Sequence, residues 1–387
     1  MSVRRLEHIP GFNIDRVAAA AGDDPEVLRM ENLDTDIPPP ADVMEATRTA
    51  IGEDDANSWL PFTGRDDLKE AVAAYIERRG GPRYDGRSEI VITSGEGDAM
   101  LDALFCLTDP GDEVILTDPT YAGMLNRVRL VGAVPRLARL GVSDGHWRLD
   151  LKALRAAVTE RTRVLFINNA SFPSGWVASD DEWDAIASIC QERDAWLLYW
   201  AAYEAVLFDG RQVRHPAALQ GMRDRTVTVS SPWERRMIAW RVGWVVAPGE
   251  LTNDVSRVHI YNGLVASGFA QIGTRVALGL PDDDLATANA EWQRRRDETL
   301  RQLEGLPVVS AAGGWSLLLD VASLGLDCAE VSRRLLEQKV AATPMRGWGG
   351  EIADRHVRFV FSNEPVERLS TLGDRVRAAL EAASHQT

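Results

Sequence analysis

Residues 109–123 read DPGDEVILTDPTYAG, and this stretch decides the fold. Its middle is a short apolar run between turn residues, which is typical of a buried strand. The letters TYAG then open a stretch with helical character, TYAGMLNRVRLVG, which extends to residue 132. We therefore predict a strand, a turn and a helix in direct succession.

The same alternation extends in both directions along the chain. Apolar runs that predict further strands stand at 89–95, 133–140, 162–170, 195–204, 226–232 and 240–248, and helix patterns stand at 65–79, 98–107 and 181–194. Strands that alternate with helices predict a mostly parallel sheet covered on both faces. Ligands of such α/β folds bind beyond the carboxyl ends of the strands.

The last hundred residues follow a different pattern. A long charged helix (291–305), a strand (313–321), a helix (329–338) and a strand (356–362) predict a small α+β unit. We predict three segments: an arm at 1–49 that includes part of the small domain, a large α/β domain at 50–285, and the small C-terminal domain at 286–387.

Composition excludes several classes of protein. The chain has 387 residues and a formal charge of −15, which opposes binding to nucleic acid or to anionic membranes. No run of about 18 apolar residues is present, and the first ten residues lack an apolar signal core. The three cysteines are far apart and odd in number, which argues against a disulfide framework. These features predict a soluble, cytoplasmic protein.

A metal site is not predicted either. The six histidines show no pair at the spacing of metal ligands. They are His8, His146, His215, His259, His356 and His385.

Nine segments in order resemble the fold type I, class I/II aminotransferases, which depend on pyridoxal phosphate. They are DIPPP (36–40), FTGRDDLKEAVAAYI (62–76), ITSGEGDAMLDAL (92–104), DPGDEVILTDPTYAG (109–123), VLFINNASFPSG (164–175), YEAVLFDG (203–210), WRVGWVVAP (240–248), GGWSLLLD (313–320) and HVRFVF (356–361). The resemblance implies an α/β, aminotransferase-like fold with a mainly parallel central sheet in the large domain and a smaller α+β domain. It also implies a homodimer and a small-molecule substrate related to an amino acid.

The positions that would contact the cofactor differ from the family pattern. By the resemblance, Trp233 occupies the position of the lysine that forms the Schiff base, and Trp200 that of the aspartate that bonds to the pyridine nitrogen. Phe172 occupies the position of a cofactor-binding asparagine. Trp59 occupies that of a tyrosine that reaches the site of the partner subunit. Glu96 and Asp98 follow the phosphate-binding turn, where like charges repel a phosphate. Lysine occurs only at 69, 152 and 339. These differences predict that pyridoxal phosphate is absent.

Other family positions are retained. The resemblance assigns Tyr121 to ring stacking, Tyr203 to a phenol near the ring, Arg241 to the phosphate, and Arg358 to the carboxylate of the substrate. Asn169 is a further candidate substrate ligand. Alternatively, Arg358 is a surface strand residue and Arg241 pairs with Glu96 or Asp98.

Two interpretations of the aromatic positions remain open. Trp59, Tyr121, Phe172, Trp200, Tyr203 and Trp233 form either an aromatic box for a planar or cationic ligand, or a hydrophobic filling of an inactive site. Glu96, Asp98 and Tyr203 are candidates for proton transfer. The alternative for the two carboxylates is the usual preference of acidic residues for a helix start. Arg235 and Arg236 are interpreted as solvated loop charges.

The function predicted from these residues is an enzyme on an aminotransferase scaffold that works without pyridoxal phosphate. It would catalyse a non-transamination step, such as cyclisation, condensation, elimination or hydrolysis, on an amino acid or a derived metabolite in specialised metabolism. One alternative is a non-catalytic pseudoenzyme that binds a ligand or a partner. The other is an ordinary aminotransferase that depends on pyridoxal phosphate.

Overall fold

A computed structural model describes residues 6–7, 9–11 and 13–384, with 382–384 as backbone only. His8 and His385 lie outside the described residues. No helix in the described part of the chain is long and apolar enough to cross a membrane.

Helices and strands alternate through most of the chain. The helices are α1 (Asn13–Ala21), α2 (Ala41–Ala50), α3 (Asp54–Asn57), α4 (Asp66–Arg78), α5 (Gly86–Glu89), α6 (Glu96–Leu107), α7 (Ala122–Leu130), α8 (Leu151–Ala157), α9 (Asp180–Glu192), α10 (Leu251–Asn262), α11 (Gly268–Gly279), α12 (Asp283–Gln302), α13 (Cys328–Glu337), α14 (Glu351–Asp354), α15 (Val366–Leu369) and α16 (Leu372–Ser384). The strands are β1 (Leu28–Arg29), β2 (Ile90–Thr93), β3 (Glu113–Asp118), β4 (Val134–Ser143), β5 (His146–Leu149), β6 (Thr162–Asn168), β7 (Trp196–Trp200), β8 (Thr226–Ser230), β9 (Gly243–Val246), β10 (Val308–Val309), β11 (Ser316–Asp320), β12 (Val340–Ala341), β13 (Thr343–Pro344) and β14 (His356–Val360).

The large sheet has eight strands in the order β2-β9-β8-β7-β6-β3-β4-β5. The central strands β4, β3, β6, β7 and β8 run parallel, whereas β9 and β5 pair antiparallel with their neighbours. All residues of β2, β3, β8 and β9 are buried, as expected for strands covered on both faces. The predicted α/β fold with a mainly parallel central sheet is thus confirmed.

A second, antiparallel sheet of four strands lies in the C-terminal part, in the order β10-β11-β14-β13. Near the N-terminus, β1 pairs parallel with β12, so that Leu28 lies opposite Val340. Met30 continues this connection, because its carbonyl oxygen accepts a hydrogen bond from the N–H of Val360. The exact limits 1–49, 50–285 and 286–387 stay a prediction.

One strand is shorter than predicted. The apolar stretch at 195–204 predicts a single long strand, but β7 ends at Trp200 and the chain turns immediately after it. The N–H of Ala201 still bonds to the carbonyl oxygen of Val229, and the turn then buries Tyr203. Because β3, β6, β7 and β8 are parallel, their carboxyl ends meet at one edge of the sheet, where the candidate site lies.

Candidate active site

The start of β9 lies unusually close to the start of α6. A Cβ atom on Gly243 would lie 2.5 Å from the backbone nitrogen of Glu96, so that only glycine fits there. Gly95, at φ +96°, ends the turn after β2. The guanidinium of Arg241 packs against Gly95, and its Nη2 would lie 2.8 Å from a Cβ atom on that glycine. This close approach brings Arg241 to the first turn of α6.

Glu96 is the first residue of α6, and its side chain is buried in the interior of the site. Its Oε2 accepts hydrogen bonds from Trp200 Nε1 (3.0 Å) and from Ser231 Oγ (2.6 Å). Burial raises the pKa of this carboxyl, while the hydrogen bonds from Ser231 and Trp200, and then the charge of Arg241, act in the opposite direction. Glu96 therefore links the ends of β7 and β8 to the start of α6.

Asp98 lies two residues after Glu96 on α6, and its side chain is half-buried. Burial and then the carboxylate of Asp102 raise the pKa of Asp98, whereas His259 and Arg241 lower it. Asp102 itself accepts a hydrogen bond from Asn262 Nδ2 at 3.0 Å and lies 3.0 Å from His259 Nδ1. Asp98 thus belongs to a polar cluster between α6 and α10. Both carboxylates of the candidate pair lie in the first turn of α6, as the alternative of helix-start charges expects.

Five of the predicted aromatic residues lie together. Tyr121 has ring-centroid distances of 5.2 Å to Trp200 and 5.7 Å to Phe172. Tyr203 lies 5.9 Å from Trp200 and 5.7 Å from Trp233. Trp200, Tyr203 and Phe172 are buried, and Trp233 is half-buried. The rings pack on one another at the carboxyl edge of the sheet.

Trp59 and Asn169 lie outside this group of rings. Trp59 is 73% exposed, and its ring contacts Phe62 at 5.2 Å. Asn169 is buried, but its side-chain oxygen accepts a hydrogen bond from the N–H of Ala178 at 2.8 Å. The adjacent Asn168, which the sequence analysis missed, joins the loop to the cluster, because its Nδ2 donates to the carbonyl oxygen of Trp200 at 3.1 Å.

Two further tryptophans complete the cluster and were also missed. Trp315 lies 5.5 Å from Tyr203 and 5.9 Å from Trp233. Trp348 lies 5.4 Å from Phe172 and 6.2 Å from Tyr121. The high count of twelve tryptophans was the only sequence feature that could have indicated further tryptophans in the site. Trp348 is hard to find in this way, because the sequence around it, RGWGG, is typical of an exposed turn.

Arg358 lies on β14 and is fully buried, which excludes the alternative of a surface arginine. Its Nη2 donates to the carbonyl oxygen of Glu31 and, at 3.1 Å, to Thr343 Oγ1. The guanidinium carbon lies 4.7 Å from the ring centroid of Phe172 and 4.8 Å from that of Trp348. Nε and Nη1 have no hydrogen-bond partner among the described residues. Burial lowers the pKa of Arg358 to about 9, so that the group stays charged at neutral pH.

Tyr203 offers a second unpaired polar group in the same interior. Its hydroxyl has no partner among the described residues. Burial raises the pKa of this phenol well above its usual value, the carboxyl of Glu96 raises it further, and the charge of Arg358 lowers it. The phenol is therefore protonated at neutral pH and can donate a hydrogen bond.

The prediction that Arg235 and Arg236 are solvated is wrong. Both are buried; Arg235 is the last residue of the one-turn 3₁₀ segment that follows β8, and Arg236 comes directly after it. Arg235 Nη2 lies 2.7 Å from Asp282, and Arg236 forms two hydrogen bonds with Asp284 at 2.7 and 2.8 Å. These ion pairs anchor the segment that carries Trp233 to the start of α12.

The sequence matches the family model described as aminotransferase class I and II over residues 28–375. The chain belongs to this family. It is 30% identical to the arginine–pyruvate transaminase of Pseudomonas aeruginosa, over 88% of this chain and 87% of that protein. It is 33% identical to a probable N-succinyldiaminopimelate aminotransferase of Mycobacterium tuberculosis, over 87% of this chain and 90% of that protein. The solved structure of N-succinyldiaminopimelate aminotransferase from M. tuberculosis is similar with a TM-score of 0.90 and 30% identity, over 98% of this chain and 100% of that one.

Family membership corrects two predictions. A PLP-independent enzyme with a non-transamination step is the main function predicted from the sequence, and this prediction is wrong: the relatives are named as aminotransferases, which favours the ordinary aminotransferase alternative. The predicted absence of a cofactor is wrong for the same reason, since membership of this aminotransferase family leads us to expect pyridoxal phosphate. The aromatic residues at the cofactor-contact positions do not change this expectation, because the chain resembles aminotransferases over most of its length.

The residues around Trp233 do not themselves fit covalent attachment of pyridoxal phosphate. The lysines of this chain lie elsewhere: Lys69 pairs with Asp66 on α4, Lys152 lies on α8, and Lys339 pairs with Asp24. The buried Glu96 carboxyl also lies at the start of α6, where a phosphate would need donors. Arg241, next to Gly95, is the residue here best suited to an anion.

Proposed function

We propose that this chain is a transferase of amino-acid metabolism, of the aminotransferase family, that holds the carboxylate of an amino-acid-like substrate at Arg358. The observation that carries the proposal is the fully buried guanidinium, whose Nε and Nη1 find no hydrogen-bond partner in the part of the chain that the structure describes. A buried donor of a charged group that lacks an acceptor is costly, and a ligand carboxylate can supply that acceptor to the unpaired Nη1 of Arg358. A ligand carboxylate therefore satisfies the group.

The surroundings hold this guanidinium in one orientation. Nη2 is tethered to Glu31 and Thr343, and the aromatic rings of Phe172 and Trp348 lie within 5 Å of the guanidinium carbon. A group that is already oriented loses little entropy when it binds a ligand. Arginine suits such a buried, tethered position better than lysine, because its guanidinium stays charged and can donate to several partners at once.

The other end of the substrate meets groups of complementary polarity. Tyr203 supplies an unpaired hydroxyl, and Glu96 places a carboxyl close enough to raise the pKa of that phenol. A guanidinium on one side suits the carboxylate of an amino acid, and the phenol and the carboxyl on the other side can form hydrogen bonds with its amino group. In this arrangement Arg358 orients the carboxylate, and Tyr203 and Glu96 face the amino group.

The relatives support the same substrate class, since two of them are named for arginine with pyruvate and for N-succinyldiaminopimelate. Transfer of an amino group is the reaction that these names favour. Tyr203 and Glu96 are the groups of this chain placed to hold or move a proton at that end of the site.

The test combines binding and turnover. Calorimetry with a panel of L-amino acids and 2-oxo acids, with and without added pyridoxal phosphate, is expected to identify a ligand whose affinity falls about 10- to 100-fold in Arg358→Ala, as for a lost charge-assisted hydrogen-bond pair. Arg235→Ala is the control for loss of a buried arginine. Amino-group transfer is followed in the same samples with a coupled dehydrogenase. If every ligand binds Arg358→Ala as tightly as the unmutated protein, the proposal is wrong.

We also propose a homodimer in which Trp59 lies near the partner's site. Trp59 is exposed in the single chain, as are the side chains of Phe105, Tyr261 and Leu264. Of these, Phe105 and Tyr261 line one shallow depression, and contiguous exposed apolar surface is typical of protein interfaces. Cytoplasmic localisation stays a prediction.

A further inference from the structure

The carboxylate of Asp118 joins the large sheet to the segment that leads into β14. Asp118 is the last residue of β3 and is buried. Its Oδ1 accepts hydrogen bonds from the N–H groups of Gly350 (2.9 Å) and Ala353 (3.1 Å), and its Oδ2 accepts one from the N–H of Ile352 (3.1 Å). These three donors lie in the turn and the short helix α14 that precede β14. Hydrogen bonds to an ionised carboxylate are roughly twice as strong as those between neutral groups, so this link is a firm one.

The turn is shaped to fit this carboxylate. Gly349 has φ +152°, and a Cβ atom on it would overlap with Oδ1 of Asp118. Glycine therefore lets the backbone come close enough for its N–H groups to donate. On the other side of Gly349, the carbonyl oxygen of Trp348 accepts a hydrogen bond of 2.8 Å from the N–H of Thr120. The turn is thus fixed to the end of β3 both before and after Gly349.

Trp348 connects this turn to the candidate site. Its ring lies 4.8 Å from the guanidinium carbon of Arg358 and 5.4 Å from the ring of Phe172. The same indole lines a cavity of about 520 Å³ between α1, α7 and α13, and Arg358 is not among the described residues that line this cavity. Trp348 therefore lies between the cavity and Arg358 and keeps the guanidinium buried.

We propose that Asp118 is a positioning residue of the site: by holding the turn at 348–353, it keeps Trp348 packed on Arg358. The inference rests on the proposed function and extends it, because a guanidinium held in one orientation loses less entropy when it binds a carboxylate. The aromatic face of Trp348 also stabilises the cation. Asp118 acts through the turn, since its carboxylate bonds to the backbone at 350–353.

Chemical modification of arginine tests the positioning without a ligand. Phenylglyoxal reacts with accessible guanidinium groups, and mass spectrometry of the digested protein measures the reaction at each arginine. Arg358 is expected to react about 10-fold faster in Asp118→Ala than in the unmutated protein, because the turn opens locally. Gly349→Ala is expected to have the same effect, since its Cβ atom displaces the turn from an intact carboxylate. Asp118→Asn is expected to give a smaller increase, because its amide oxygen still accepts two of the three bonds.

Two controls separate local opening from a general loss of structure. Arg235 is as deeply buried as Arg358 but is held by its own ion pairs, so it is expected to stay protected in every variant. Asp150→Ala removes a carboxylate that also accepts a backbone N–H at a helix start, that of α8, and is expected to leave Arg358 protected. If Arg358 stays protected in Asp118→Ala, or reacts only in variants in which Arg235 reacts as well, the inference is wrong.

Calorimetry with the same panel of L-amino acids and 2-oxo acids tests the effect on binding. Any compound whose affinity depends on Arg358 is expected to bind about 10-fold more weakly in Asp118→Ala. In a Trp348→Ala background, Asp118→Ala is expected to add no further loss, because its effect passes through the indole. Affinity that falls in Arg358→Ala but not in Asp118→Ala, or an equal loss in both backgrounds, overturns this inference and leaves the proposed function intact. If no compound depends on Arg358, the proposed function falls, and the inference falls with it.

Discussion

The indole Nε1 of Trp200 donates a hydrogen bond of 3.0 Å to Oε2 of Glu96, across 104 residues of sequence. Both groups are buried, and Ser231 supplies the second donor to the same oxygen. The bond joins the carboxyl end of a central strand to the start of α6. It makes Trp200 a structural partner of the carboxyl as well as a ring of the aromatic cluster.

Trp200→Phe is expected to lower the free energy of unfolding by about 1–3 kcal/mol beyond the loss of ring area, because a buried carboxyl loses one of its two donors. Urea denaturation measures the change. The control is Trp315→Phe, since Trp315 lies in the same cluster but its Nε1 has no hydrogen-bond partner among the described residues. Equal losses in the two variants would show that the hydrogen bond contributes nothing.

The sequence alone could predict the central sheet, because each of its strands is a short apolar run that can be recognised from the neighbouring residues in the sequence. The run VILT in β3 is apolar and bounded by turn residues, and every residue of that strand is buried. The helix α11 was missed because it begins and ends with glycine, which usually indicates a turn. In the structure Gly268 packs against the carbonyl of Ala56, where a Cβ atom would not fit.

The site could be predicted only where the family resemblance supplied positions. Arg235 reads as a loop charge because its partner Asp282 lies 47 residues further along the chain. Trp348 reads as part of a glycine-rich turn, and its contact with Arg358 depends on how that turn packs on β14. Such long-range pairs have no signature in the local sequence, so the charge state and burial of these residues had to come from the structure.

Two fully buried arginines are expected to respond in opposite ways to replacement by methionine. Arg358→Met removes a charge with two unpaired nitrogens, so that the free energy of unfolding without ligand is expected to rise by about 1–3 kcal/mol while carboxylate binding is lost. Arg235→Met leaves the backbone carbonyls of Leu280 and Pro281 without their donor and removes one of the two arginines paired with Asp282, so it is expected to cost about 1–3 kcal/mol. Chemical denaturation and calorimetry measure both effects. A large loss of stability in Arg358→Met would mean that its main role is structural.

Glu204 is expected to make the stability depend on pH. Burial raises its pKa from 4.5 to about 7, against the opposing charge of Arg79 and a hydrogen bond from Tyr199. The folded state therefore binds more protons than the unfolded state between these two values, and stability falls as the pH rises through this window. The shift corresponds to about 3 kcal/mol. Thermal denaturation of Glu204→Gln is expected to show a shallower decline, because burial also raises the pKa of Glu234 to about 8 and that carboxyl titrates over an overlapping window. A parallel pH profile in both proteins would contradict the assignment.

The proposed homodimer is expected to depend on the exposed aromatic residue of α10. Tyr261 is 93% exposed and, with Phe105 and Val258, lines a shallow depression between α10 and α6. Tyr261→Asp places a charge in an apolar contact and is expected to shift the protein from dimer to monomer in light scattering at micromolar concentration. Val142→Asp is the control, since Val142 is an exposed apolar residue on β4, near the opposite edge of the large sheet. A monomeric unmutated protein would contradict the homodimer and remove Trp59 from the partner's site. A dimer that persists in Tyr261→Asp would place the interface away from Tyr261.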